Sequence, residues 1–249
     1  ALRGGESRGR SLFSQELLSS GRLEFVDLDL NAPKPSVSLP SHWNGELDVL
    51  INNAGYGLMG PLEHQSDAQI RKQMEVNFFG PLALMRSLLP ALKKSAALGR
   101  RPRIINLSSI AGLVSFPYYG AYNASKFALE AVSEALLYEL APFGIQLALI
   151  EPGGFKTGFN SSIDYATVNS ATDPVNAARL DSFQAAIRAK SNFGGDPSKV
   201  ADLMVRLAEK KRVGLRHVIG KDDNAMMLLK RMLPDSWRVA FESWFFSRI

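Results

Sequence analysis

An α/β fold, a doubly wound parallel sheet flanked by helices, is predicted by three observations in this 249-residue chain. Three apolar runs end in small, polar or glycine residues, the pattern of buried parallel strands entering loops. Other segments carry apolar residues at helical spacing. The length and 46% hydrophobic content suit one domain, residues 1–249, with a core large enough to support it.

The first run, residues 47–55, reads Leu-Asp-Val-Leu-Ile-Asn-Asn-Ala-Gly. Asn52 and Asn53 can bond backbone where a strand turns into a loop, and Ala54 and Gly55 leave room for a flat ligand against the main chain. A plain β-turn accounts for Asn-Asn-Ala-Gly equally well when it stands alone. The second run, 103–109, is Arg-Ile-Ile-Asn-Leu-Ser-Ser with Gly112 soon after. It places Ser109 at the carboxyl end of a strand, where catalytic side chains of open α/β sheets collect. Residues 122–140 read as a helix, with Phe127, Leu129, Val132, Leu136 and Leu140 near helical spacing and no proline before Pro142. The third run, 145–151, leads into Pro152, Gly153, Gly154, Phe155, Lys156 and Thr157. Proline stops the ladder, the glycines permit unusual dihedrals, and Thr157 offers a hydroxyl past the strand end. Residues 158–195 read as loop followed by a helix over 177–190, placed to act as a lid over the site. A helix over 224–232, Pro234 and an aromatic tail close the chain, with Trp237, Phe241, Trp244 and Phe245 on one helical face and Phe246 beside them.

Tyr122 and Lys126 are four apart and share a face of their helix. An ammonium near a phenol favours the phenolate, so the tyrosine pKa is expected to fall from about 10 toward working pH. A tyrosine tuned in this way serves as general acid or base. In isolation the pair is equally a packed tyrosine beside a solvated lysine. Ser109, thirteen residues upstream and at a strand end, supplies the polarising hydroxyl that carbonyl reduction needs.

Five motifs in order, Asn-Asn-Ala-Gly (52–55), Val-Asn-Phe-Phe-Gly (76–80), Ile-Asn-Leu-Ser-Ser (105–109), Tyr-Asn-Ala-Ser-Lys (122–126) and Pro-Gly-Gly-Phe-Lys-Thr (152–157), make the chain resemble the short-chain dehydrogenase/reductases over about residues 1–220. The wording after Lys126 is similar to the 17β-hydroxysteroid and retinol dehydrogenase branch. The resemblance implies a Rossmann-like fold and a catalytic tetrad of Asn77, Ser109, Tyr122 and Lys126. Tyr122 would donate the proton in reduction, Lys126 would tune it and bond the nicotinamide ribose, and Ser109 would orient the carbonyl oxygen. Asn77 would shape a helix and hold a water near the lysine. The cofactor would meet Asn53, Ala54, Gly55, Tyr122, Lys126, Pro152, Gly153, Phe155 and Thr157, with Asp29 and Leu30 bordering the adenine. Arg3, assisted by Arg8 and Arg10, stands where relatives offer a cation to a 2′-phosphate, so NADP is expected in preference to NAD.

The family's opening strand and Gly-rich phosphate turn have no counterpart here. Residues 1–3 resemble the end of the family's second strand and residues 23–30 its third, so the fold is expected to lack its first strand and first helix. This polypeptide alone is then expected to bind cofactor poorly. A catalytically impaired nucleotide-binding or regulatory protein on the same fold is the alternative. Family habit implies a homodimer or homotetramer using the Tyr122 helix and a helix over 76–92.

The substrate is expected to be a small apolar ketone, aldehyde or alcohol, steroid- or retinoid-like. Leu113, Val114, Phe116 and Tyr119 lead the pocket candidates, with Phe155, Phe159, Tyr165, Phe183 and Phe193 shared between pocket and core. No run of eighteen apolar residues suggests a membrane span, although the aromatic tail with Arg238 and Arg248 suits either packing on the body or a partner, or peripheral membrane contact. The chain has no cysteine, which excludes disulfides and thiolate metal sites and suits a cytoplasmic protein. His42, His64 and His217 have no metal-ligand spacing, so no metal is expected. The net charge of +5 comes from dispersed residues without an aromatic-interleaved basic surface, which argues against nucleic acid.

Overall fold

The computed structural model describes residues 10, 11, 13–32, 35–191, 194–220, 230 and 232–246. Four strands form a parallel sheet: β1 (Val49–Asn52), β3 (Arg103–Leu107), β4 (Gln146–Pro152) and β6 (Arg216–Ile219), in the order β1-β3-β4-β6. Two short strands, β2 (Leu58–Met59) and β5 (Asp164–Tyr165), pair with each other beside it. The helices are α1 (Gln15–Ser19), α2 (Asp67–Met74), α3 (Gly80–Ala97), α4 (Gly120–Leu140), α5 (Pro174–Ser191), α6 (Ser198–Glu209) and α7 (Asp235–Phe246).

Alternation along the strands divides the core between two layers. Ile104, Leu147 and Leu149 pack with Met85 and Leu92 of α3 and with Leu129, Leu136 and Leu140 of α4. Ile105, Ala148 and Ile150 face the opposite way, onto Val200 and Leu207 of α6. Both faces of β3 and β4 are covered, which is why these strands read as near-continuous apolar runs. Each fully buried leucine or isoleucine contributes roughly 1.5–3 kcal/mol. Buried Arg103 opens β3 and donates through Nη1 to the carbonyls of Leu207 and Lys210, completing the C-terminus of α6.

All three expected strands and the helix after Ser109 are present within three residues of their predicted limits. The expected strand over 23–30 is not. Among the described residues this segment shows a single bridge position, Asp27, and is otherwise held by side-chain contacts such as Phe25 with Phe13 and Glu24 with His42. Its apolar residues Leu23, Phe25, Val26, Leu28 and Leu30 are half-buried while Glu24, Asp27 and Asp29 are exposed. The predicted helix over 224–232 falls mainly outside the described residues.

Between α2 and α3 the chain adds a π-helical turn, Glu75–Phe79. Such turns bulge the helix and re-aim a side chain. Here the residue re-aimed inward is Asn77.

Candidate active site

The strands deliver their last residues to one edge of the sheet. Asn52 of β1 stands beside Asn106 of β3, and Leu107 of β3 beside Ile150 of β4. The loops 53–55, 108–112 and 153–157 therefore open side by side, and α4 runs behind them. Asn52 is tied down by donating through Nδ2 to Asn106 Oδ1 at 2.8 Å, while Asn53, Ala54 and Gly55 remain exposed. A β-carbon added at Gly55 would lie 3.2 Å from Asn77 Oδ1 and 3.8 Å from Lys126 Nζ, so the loop backbone passes directly over the lysine.

Asn77 is buried and fully used. Its Oδ1 accepts from the Tyr56 amide at 3.1 Å, and its Nδ2 donates to the Tyr56 carbonyl at 2.9 Å and to Ser125 Oγ at 3.2 Å. The side chain thus locks the loop after β1 to α4, one residue before Lys126. Gln73, also buried, repeats the device one turn earlier, accepting from Leu58 N at 2.6 Å and donating to the Tyr56 carbonyl at 3.0 Å.

Ser109 caps the 3-10 turn Ile110–Gly112 by accepting from Ala111 N at 3.1 Å, and it donates toward the Pro152 carbonyl at 3.4 Å. Its hydroxyl also faces the Tyr122 phenol. Tyr122 and Lys126 are both buried on α4. Lys126 Nζ donates to the Leu107 carbonyl at 2.9 Å and lies 5.9 Å from the centre of the Tyr122 ring.

The expected fall in the tyrosine pKa is not what this geometry produces. Burial pushes Tyr122 up to about 12, and only the Ser109 hydrogen bond pulls it back. The ammonium is directed at a backbone carbonyl rather than at the phenol oxygen, so loss of hydration decides the sign. The same burial lowers Lys126 to about 8, opposed by the negative charge of Glu130.

The pocket candidates separate cleanly. The Tyr122 ring has Phe159 at 5.6 Å and Tyr119 at 6.0 Å, and Tyr119 is flanked by Phe116 at 6.1 Å and Phe183 at 5.4 Å. Phe183 of α5 also meets Tyr118 at 5.1 Å. Phe155 turns into the core beside α6 instead, leaving only its backbone for a ligand. Val114 is buried, Tyr165 pairs within β5, and Phe193 lies outside the described residues. Thr157 is exposed, its Oγ1 accepting from Phe159 N at 3.2 Å. Asp29 accepts from Asn31 N at 3.0 Å in a local turn, and half-buried Leu30 packs over Gly80. Arg3 and Arg8 lie outside the described residues.

Residues 16–167 match the family model described as short chain dehydrogenase. The chain belongs to the short-chain dehydrogenase family. It is 37% identical over 193 residues to a 3-ketodihydrosphingosine reductase from Bacteroides thetaiotaomicron, covering 77% of this chain and 70% of that one. It is 34% identical to human retinol dehydrogenase 8, covering 78% of this chain and 63% of the relative. A solved short-chain dehydrogenase from Streptomyces avermitilis superposes with a TM-score of 0.68 at 29% identity, over 93% of this chain and 82% of that one. The chain is accordingly a short-chain dehydrogenase/reductase, an NAD(P)-dependent oxidoreductase with a Rossmann-like sheet.

Sequence reasoning missed several residues at this dehydrogenase site. Tyr118 adopts φ +64, a left-handed conformation uncommon for a tyrosine, and that turn presents its ring to Phe183. Buried Glu130 and Glu151 lie behind Lys126, with the half-exposed Arg216 side chain reaching in to them. A glutamate interrupting the apolar run 147–150 was a usable signal, as was Glu130 at one helical turn from Lys126. His64, despite its spacing, meets Asp173 at 2.8 Å, with Glu63 alongside. Asn176 bonds both carboxylates, and Asp173 caps the start of α5, so the group is a helix-anchoring network. Among the described residues no helix is long and apolar enough to cross a membrane.

Proposed function

We propose that this chain interconverts a carbonyl and an alcohol on an apolar substrate, with Tyr122 as the acid/base. The carrying observation is the convergence of Ser109, Tyr122 and Lys126 where the loops after β1, β3 and β4 open together. The residues present fit a nicotinamide cofactor. Exposed backbone at 53–55 crosses Lys126 with a glycine where a side chain would crowd the ammonium, and Pro152, Gly153 and Thr157 border the same opening. When bound, the cofactor supplies the hydride.

The chain's own residues handle the oxygen. Ser109 Oγ and Tyr122 Oη are neighbours, and a carbonyl oxygen placed beside both would accept from the phenol and from the serine as it exchanges its long 3.4 Å bond to Pro152. A phenol pushed up to about 12 holds its proton at neutral pH and is ready to give it to the oxygen as charge develops. Lys126 compensates the phenolate left behind, and Asn77 fixes the backbone around it.

Phe116, Tyr119, Phe159 and Phe183 around the phenol support an apolar substrate, and the segment 158–195 acts as its lid. An open groove of about 390 Å³, lined by Leu62, Phe116, Tyr118, Asn123 and Phe127, extends from this cluster. The relatives named for a 3-keto compound and for retinol agree with that class. NADP in preference to NAD rests on Arg3, with Arg8 and Arg10. Homodimerisation through α3 and α4 is supported by the exposed rings of Phe127 and Tyr138 on α4 and of Phe79 beside α3, and light scattering of the purified chain reads it directly. Peripheral membrane contact through the C-terminal aromatics would be lost from vesicle binding when residues 235–249 are deleted.

The function is tested by oxidation of NADPH, and of NADH in parallel, against a panel of apolar ketones and aldehydes. Turnover, weak if cofactor binds poorly, should show the lower KM for NADPH and should be abolished in Tyr122→Phe with cofactor binding unchanged from wild type. Equal rates in the two proteins would overturn the reading.

A further inference from the structure

Behind the catalytic edge lies a charged cluster that the proton-transfer scheme leaves unused. Glu151 ends the buried part of β4 and is fully inaccessible, and neither carboxyl oxygen has a hydrogen-bond partner among the described residues. The backbone of His217 stands close to Glu151, and the Ser108 hydroxyl close to Glu130, without meeting hydrogen-bond geometry. Glu130, nearly as buried, sits on α4 one turn beyond Lys126. Arg216 at the start of β6 donates through Nε to Glu130 Oε2 at 3.0 Å and through Nη2 to Glu134 Oε2 at 2.7 Å, and its Nε is 3.8 Å from Glu151 Oε1.

Two buried carboxyls, Glu130 and Glu151, share one guanidinium that only Glu130 bonds directly, so holding both as anions is costly. Burial pushes the Glu130 carboxyl up, but the direct bond from the guanidinium and the charges of Arg216 and Lys126 oppose that shift and favour its anion over that of Glu151. Glu134 reaches solvent and shares the same guanidinium. Glu151 meets no hydrogen-bond partner among the described residues, and burial together with the Glu130 charge pushes it up to about 8, so it carries a proton at neutral pH. Two cations, Lys126 and Arg216, then face two anions, Glu130 and Glu134, with Glu151 neutral between the helix and the sheet.

We propose that Glu130 is a positioning residue for Lys126, a buried counter-charge held anionic by Arg216 that keeps the lysine in its ammonium form, with Glu151 as the proton-bearing acid behind it. The inference rests on the reading of Lys126 as the partner of Tyr122. Lys126 is stripped of water and bonded to a neutral carbonyl, so Glu130 at helical i+4 spacing supplies the opposing charge. The side chain of Glu130 never touches substrate, and its effect passes entirely through the lysine.

The test has two parts. In wild type, carbon-13 resonances of the Lys126 ε-carbon and the Glu130 carboxyl are followed against pH, without cofactor or substrate. Lys126 should be an ammonium and Glu130 a carboxylate at pH 7. A neutral lysine or a protonated Glu130 at that pH would overturn the inference without any variant needing to fold. In the second part Glu130→Gln is compared with wild type and with Glu134→Gln in pH profiles of kcat for carbonyl reduction. Loss of the buried charge should move the alkaline limb to lower pH by about one unit, an approximately tenfold loss at pH 8.5 relative to pH 6.5. Glu134→Gln should leave the limb in place, and Glu130→Asp should restore most of it. An unmoved limb in Glu130→Gln would refute the role. Coupled titration in a protein that turns over no carbonyl would sink the proposed function alone.

Discussion

The two halves of this site are built differently. The half proposed to carry the chemistry, the ends of β1, β3 and β4 with the first turns of α4, is held by side-chain hydrogen bonds to the backbone. Asn77, Gln73, Asn52 and Ser109 each spend their side chains on backbone or on one another. The half proposed to face substrate, residues 113–119 and 158–191, is held by ring contacts, by the two-residue pairing of β2 with β5, and by the cap that Asp173 places on α5. Hydrogen bonds from a close-packed interior fix an oxygen's position, whereas stacked rings on loops admit different apolar shapes. In the proposed function, geometry that must not vary would sit on the scaffold and geometry that selects on the ring-lined loops.

The contrast is broken most directly at the phenol. Tyr122→Phe should lower kcat by about 10²–10⁴-fold with cofactor binding and melting temperature close to wild type. Next in size, Glu151 should impose a pH dependence on stability. Its native value near 8 lies above its ordinary value, so the folded chain binds more protons than the unfolded one across that window. Its contribution is therefore most favourable at low pH and is lost as pH rises toward 8, at up to about 1.4 kcal/mol per pH unit. Glu151→Gln, which mimics the protonated acid, should flatten that slope in denaturant titrations between pH 5 and 8.

Asn77→Ala removes three hydrogen bonds from the scaffold and should cost about 2–3 kcal/mol in urea unfolding. Phe183→Ala acts on the other half. It should raise KM for an apolar ketone about tenfold while kcat changes little, and an equal loss in kcat would place the lid in the chemistry. Trp237→Ala should be the mildest, within about 0.5 kcal/mol of wild type, because that side chain is 69% exposed.

The chemical half was the more legible in sequence, for the same physical reason. Buried parallel strands must be apolar throughout and must end where loops begin, so Arg103 to Leu107 and Gln146 to Pro152 announce themselves and bring Ser109 and Thr157 with them. Helical spacing does the same for Tyr122 and Lys126. The sign of the tyrosine shift was not legible, because it depends on where the ammonium points and on how much water the phenol loses. Contacts between distant segments were hidden too. Glu130 and Arg216 are 86 residues apart, and His64 and Asp173 are 109 apart. Residues 23–30 carry a strand-like composition, yet a ladder requires a partner and composition does not supply one.

The central claim, that Ser109 and Tyr122 converge on a single oxygen while its carbon receives hydride, is tested most directly by isotope transfer. Wild type and Tyr122→Phe are incubated with cofactor deuterated at the transferring position and an apolar ketone, and the product is weighed by mass spectrometry. One deuterium on the alcohol carbon from wild type, and no product from the variant, is the expected result. Cofactor oxidation without deuterium in the alcohol, or equal labelling by both proteins, would contradict it.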